Sequence, residues 1–137
     1  EMRILGLRTM DPAMTKAYLD GEDIHKSTAA LAFNTTYDEV TKDERQAAKA
    51  VSFGLIYGKS TASQAMELNI SLSEAEDIVN KYFSTKPTVK QFIEDTHLSL
   101  EQNGFVSTMQ GHKRQLKGIW TKDKRSDALR QSVNTIN

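Results

Sequence analysis

The sequence predicts a mainly α fold with one β-hairpin. Three observations carry that expectation. Helix caps recur along the chain, from Asp11-Pro12 to the capping boxes Thr41/Glu44 and Ser71/Glu74. Apolar residues return at three- and four-residue spacing between them. The period changes to alternation once, in FVSTMQGHKRQL.

Taken in order, the opening EMRIL reads as an apolar and polar alternation. Asp11 then caps a helix with Pro12 at its first position, and Gly21 supplies the C′ stop. GEDIHKSTAALAFN gives a second helix from about Ile24 to Phe33, with Asn34 at its end. Thr41 and Glu44 open a third, spanning about 42–58. Thr61 with Gln64 opens a short helix ending near Asn69. Ser71 with Glu74, or Ser73 with Glu76, opens the next, whose Ala75, Ile78, Val79, Tyr82 and Phe83 share a core face. Lys86 before Pro87 breaks that run, because a residue preceding proline avoids the helical region. From Pro87 to about Gln102 a further helix puts Val89, Phe92, Ile93, Thr96 and Leu100 on one side, and Asn103-Gly104 stops it. A hairpin spans about 105–117 and turns at Gln110-Gly111, and a last helix covers about Ser126 to Asn134. There is no internal repeat or low-complexity tract.

Composition limits the function classes. At 137 residues, 38% hydrophobic and 26% charged, the chain is one domain's worth of polar globular protein. Without cysteine it has no disulfide framework or thiolate zinc site, and His25, His97 and His112 are dispersed. No run reaches the length of a membrane span and no signal peptide opens the chain, so the expectation is a soluble cytoplasmic protein with no membrane partner. The chain starts within an alternation and stops at NTIN without a closing element, as expected of a fragment. Net charge is zero, but residues 45–64 carry 3 basic and no acidic groups, and residues 104–137 carry 7 and 2. Two basic blocks in a neutral chain point to local contact with anions.

The first block contains RQAAKAVSFGLIYGKST, residues 45–61. Its Gly-Lys-Ser ending suggests a phosphate loop, but the first glycine of that pattern falls on Phe53 and a helix precedes the loop where a strand is required. As a helix, the stretch sets Arg45, Lys49, Phe53 and Tyr57 in a row about 18 Å long, with Ala47, Ala48, Val51 and Leu55 largely elsewhere. Two cations followed by two rings match the order of parts in a nucleoside triphosphate, polyphosphate then base. The plainer reading is a helix with solvated cations and core rings. Gly54 leans against it, since an interior glycine costs about 1 kcal/mol and marks close approach.

The same residues resemble motif B of the family A DNA polymerases, the bacterial DNA polymerase I type: Arg45, Lys49, Phe53, Gly54, Tyr57 and Gly58 fill its defining positions. The resemblance covers nearly the whole chain. EMRIL is similar to the end of the family's motif A segment, GEDIH to its GxDIH, GFVSTMQGHKR to its hairpin, and RQSVNTIN to the start of its RxxxNxPxQG motif. It implies the fingers and adjoining palm of a right-hand polymerase, in a bacterial or phage-encoded member.

By that resemblance, Arg45 and Lys49 contact the triphosphate of an incoming dNTP, Phe53 lies against its sugar and base, and His25 stands near the phosphates. Glu1 matches a glutamate that excludes the ribose 2′-hydroxyl. The DNA side falls to Tyr57 and Gly58 near the templating base, Arg114 of the hairpin, and Arg130 and Asn134 along the primer-template. Phe53 in place of tyrosine implies poor use of dideoxynucleotides. The chain departs from the family at Ser52, where Asn is usual, at His112 for Arg, at Lys117 for Pro, and at Ile136 for the proline of NxP.

Family polymerases hold two Mg2+ ions with carboxylates that match positions before Glu1 and after Asn137. Asp23, Asp43, Glu94 and Asp95 read as solvated charge in helical or capping contexts. The implied metal ligands thus lie outside this chain, as do the remaining palm and thumb, and the chain alone is expected to be inactive in primer extension. A catalytically inactive, DNA-binding helical module is the competing reading.

Overall fold

In the computed structural model, which describes residues 2–136, the caps set where the helices start. Asp11 is fully buried; one carboxylate oxygen accepts the N–H groups of Ala13 and Met14, both at 3.1 Å, and opens α2 (Pro12–Leu19). The other accepts the Thr88 hydroxyl at 2.6 Å, tying this cap to α7 (Pro87–Asn103). Asp23 caps α3 (Ile24–Phe33), which ends on Asn34 in the left-handed conformation. Reciprocal capping boxes open α4 (Lys42–Ile56) at Thr41/Glu44 and α6 (Leu72–Thr85) at Ser71/Glu74.

Two expectations need correction. The opening alternation is a helix, α1 (Met2–Thr9), whose buried Met2, Leu5 and Gly6 have helical spacing. Four alternating residues are too short a window to tell the two periods apart. The short helix α5 (Thr61–Leu68) is capped by Ser60, not by Thr61 with Gln64. Gln64 instead turns inward, 3% exposed, and its amide donates to the Lys59 carbonyl at 3.4 Å.

β1 (Phe105–Ser107) and β2 (Lys113–Gln115) pair antiparallel, Val106 opposite Arg114, and Gly111 takes φ 84° in the connecting turn. A 3-10 turn, Lys117–Trp120, leads to α8 (Arg125–Ile136).

The main core gathers Met2, Leu5, Met14, Ile24, Ile56, Tyr82, Val89 and Val133, so it joins every helix except α5. Burying each aliphatic side chain there contributes about 1.5–3 kcal/mol. A second cluster of Leu100, Val106, Leu116, Ile119 and Ala128 seats the hairpin on α7 and α8. A third, Ala32 with Val51 and Ile78, packs α3 against both α4 and α6. Together they fix the α4 row against α3 on one side and α8 at its end.

Candidate functional site

The α4 helix buries Ala48, Val51, Ser52, Gly54 and Ile56 and leaves Arg45, Lys49, Phe53 and Tyr57 half-buried along its other side. Ser52 is buried because its hydroxyl donates to the Ala48 carbonyl at 2.8 Å, which satisfies it within the helix. Gly54 faces α5: a Cβ there would sit 3.1 Å from Gln64 Cδ, so a side chain at this position would push the Gln64 amide aside by a few tenths of an ångström.

Arg45 is held across helices. Its Nε and Nη2 reach Asp23 Oδ2 at 2.7 and 2.6 Å, and the pair is partly open to solvent, with side chains 40% and 34% exposed. The same aspartate accepts the His25 and Lys26 N–H groups through Oδ1 at 2.9 and 3.1 Å. Asp23 is therefore not merely solvated charge. Burial pushes its carboxyl up, but Arg45 and the two backbone donors outweigh burial and hold it below the usual carboxylate value.

Phe53 lies between two rings. The His25 centroid is 5.7 Å away on one side, tilted 38°, and the Tyr57 centroid 5.9 Å on the other, at 21°. Burial, joined by the Arg45 and Lys49 charges, lowers the His25 pKa against the pull of Asp23, so the imidazole is neutral at pH 7. Its Nδ1 is buried with no hydrogen-bond partner. Cation, cation and three neighbouring rings thus occupy one half-buried strip formed by α3 and α4.

Gly58 ends α4 at φ 66°, and a Cβ there would stand 3.1 Å from Arg130 Cα; the backbone of α8 abuts the end of the row. Lys59, whose place in the Gly-Lys-Ser tail raised the phosphate-loop question, is ion-paired with Glu67. On the second basic block, Arg114 donates to Gln131 Oε1 at 2.7 Å and Thr135 Oγ1 at 3.0 Å, pinning the hairpin to α8. Arg130 pairs with Asp127 at 2.7 Å, and Asn134 Oδ1 is buried without a partner. Glu1 lies outside the described residues. Asp23, read from the sequence as solvated charge, Gln64, read as a cap, and Gln131, not singled out, complete the arrangement. Only the adjacency of Asp23 to His25 in GEDIH hinted at the first.

Among the described residues no group of three or more His, Asp or Glu side chains stands where it holds a metal ion. The partly or fully buried Asp11 and Asp23 are each committed to a helix cap and a side-chain donor. The described residues do not fit a divalent-metal site.

The architecture is that of part of a polymerase domain. It matches the POL domain of Pol1 from M. smegmatis, solved in complex with DNA primer-template and dNTP, with a TM-score of 0.91 at 33% identity, covering 98% of this chain and 24% of that one. The family model for DNA polymerase family A matches residues 1–136, and the chain belongs to that family. Among relatives, DNA polymerase I of Caldicellulosiruptor bescii is 40% identical over 119 residues, covering 87% of this chain and 14% of that protein. DNA polymerase I of Bacillus caldotenax is 37% identical over 137 residues, with 98% and 16% covered, and the DNA polymerase of Bacillus phage SP01 is 36% identical over 142, with 98% and 15%. The chain therefore spans about one-sixth or less of the length of these relatives. No described helix is long and apolar enough to cross a membrane.

Proposed function

We propose that this chain is the fingers and adjoining palm portion of a DNA-templated DNA polymerase, and that it binds the incoming dNTP along the α4 row and the primer-template at the end of that row. The observation that carries the reading is the single strip in which the Arg45 guanidinium, the Lys49 ammonium and the His25, Phe53 and Tyr57 rings follow one another. Arg45, oriented by Asp23, and Lys49 take the triphosphate as charge-assisted donors; Phe53 supplies a flat face for the sugar and base. Neutral His25 adds a polar contact beside the phosphates without adding to the positive charge. Tyr57 and Gly58, next to Arg130, bound the place where a templating base meets the nucleotide, while Arg114 and Asn134 serve the duplex from the hairpin and α8.

The two Mg2+ ions of such a reaction would be held by carboxylates elsewhere in the polymerase, so the isolated segment binds but does not extend a primer. Metal-dependent primer extension by the purified 137 residues, abolished by Lys49→Ala, would overturn that assignment. In the polymerase that carries the segment, Phe53 makes dideoxynucleotides poor substrates; incorporation of both nucleotide types at equal rates would contradict the placement of that ring.

A further inference from the structure

Trp120 is the single tryptophan of the chain, and it stands 64% exposed at the end of the 3-10 turn, away from the α4 row. One edge of the indole covers Gly104, where a Cβ would fall 2.8 Å from Cζ2; the φ of +73° and the missing side chain at Gly104 make that seat possible. Its Nε1–H donates to the Glu101 carbonyl at 3.3 Å, and Arg125 pairs with the carboxylate of the same Glu101, so one residue of α7 anchors both side chains. The chain between them folds back on itself: Thr121 N–H donates to Gly118 O at 3.1 Å and Lys124 N–H to Thr121 O at 3.0 Å, with Lys124 resting against Gly118. From Lys117 to Arg125 there are four basic residues, Lys117, Lys122, Lys124 and Arg125, against one acid, Asp123, and all five are exposed.

We propose that the open part of Trp120, with the exposed Lys117, Lys122 and Lys124 on the segment that carries it, is a stacking platform for single-stranded nucleic acid. A fixed ring whose other edge is seated offers a base a π-face at little entropic cost, and lysines on a short turn track a phosphate backbone. Protein-binding patches are depleted in lysine at their centres, which argues against a protein partner. A paired duplex hides its base faces, so the ring selects unpaired strand. The inference extends the nucleic-acid reading above and takes its class of partner from it, but it uses none of the same residues.

The sole tryptophan reports directly on the contact. Titration of the 137-residue chain at low salt with an oligothymidylate of about ten residues quenches its emission saturably, and affinity falls with added salt as phosphate contacts are screened. In the polymerase that carries the segment, Trp120→Ala weakens binding of a primer-template with an unpaired template extension by about tenfold. Trp120→Phe keeps a ring on Gly104 and most of the affinity, which separates lost stacking from lost folding. A blunt duplex is bound equally by all three proteins. Oligothymidylate that binds, by anisotropy of a labelled strand, without changing the emission would overturn the platform. So would equal affinities of the three proteins for the unpaired extension. Failure of the dNTP site would appear as an unchanged nucleotide affinity in Lys49→Ala, with the tryptophan response intact.

Discussion

The Arg45 guanidinium is bound through Nε and Nη2 to one carboxylate oxygen of Asp23, at 2.7 and 2.6 Å, across twenty-two positions of sequence. The same aspartate caps α3 through its other oxygen, so one residue both starts a helix and aims the first cation of the α4 row. Asp23→Asn retains the cap and loses the ion pair, whereas Asp23→Ala loses both. A cap contributes about 1 kcal/mol, and a half-exposed pair less than about 1 kcal/mol. Thermal unfolding should rank wild type, Asn and Ala in falling stability; an Asn variant as unstable as Ala would remove the cap from the account.

The pH dependence of this pair follows from the lowered Asp23 pKa. Its folded-state value lies below the unfolded one, so the stabilisation is complete above about pH 4 and is lost as pH falls through the folded value. Denaturant unfolding between pH 5 and pH 2 should show wild type losing its advantage over Asp23→Asn. A constant difference across that range would contradict the pairing.

Lys86 is 2% exposed, with its ammonium 4.5 Å from the centre of the Tyr82 ring, and burial lowers its pKa to about 8 against the pull of Asp11. Here the charged form is penalised in the fold. The unfolded chain holds the proton up to about pH 10.5, so stability rises as pH passes from about 8 towards 10.5. Lys86→Met should raise the melting temperature at pH 7, by an amount corresponding to roughly 2–3 kcal/mol, and the gain should shrink by pH 10. A destabilised Met variant at pH 7 would mean that the cation–π contact outweighs desolvation.

Gly58 joins two elements through its backbone. Alanine there must hold φ 66° and meet Arg130 Cα at 3.1 Å. Left-handed strain alone costs about 1–2 kcal/mol. Gly58→Ala should therefore destabilise the chain by at least that amount. A melting temperature unchanged in Gly58→Ala would contradict the close seating of α4 on α8.

Much of the helix layout was legible because caps are local. Asp11, Thr41 with Glu44 and Ser71 with Glu74 act within four residues of themselves; the first two open their helices as read, and the third is the one of two readings, the other being Ser73 with Glu76, that the structure shows. The α4 row was legible for the same reason, being one helix face. What the sequence withheld depends on contacts between elements. Asp23 looked like a solvated acid until α3 and α4 packed together. Gln64 looked like a capping residue until Gly54 gave it room. Lys86, an ordinary charge beside a proline, is buried only because α6 and α7 meet there.

The most direct test of the α4 row is a pre-steady-state measurement of dNTP binding to the polymerase that carries this segment, comparing wild type with Lys49→Ala on a saturating primer-template. Loss of a charge-assisted phosphate contact should raise the dNTP Kd by about tenfold or more while primer-template affinity stays the same. A dNTP Kd that does not change would contradict the account, and leave α4 as helix surface.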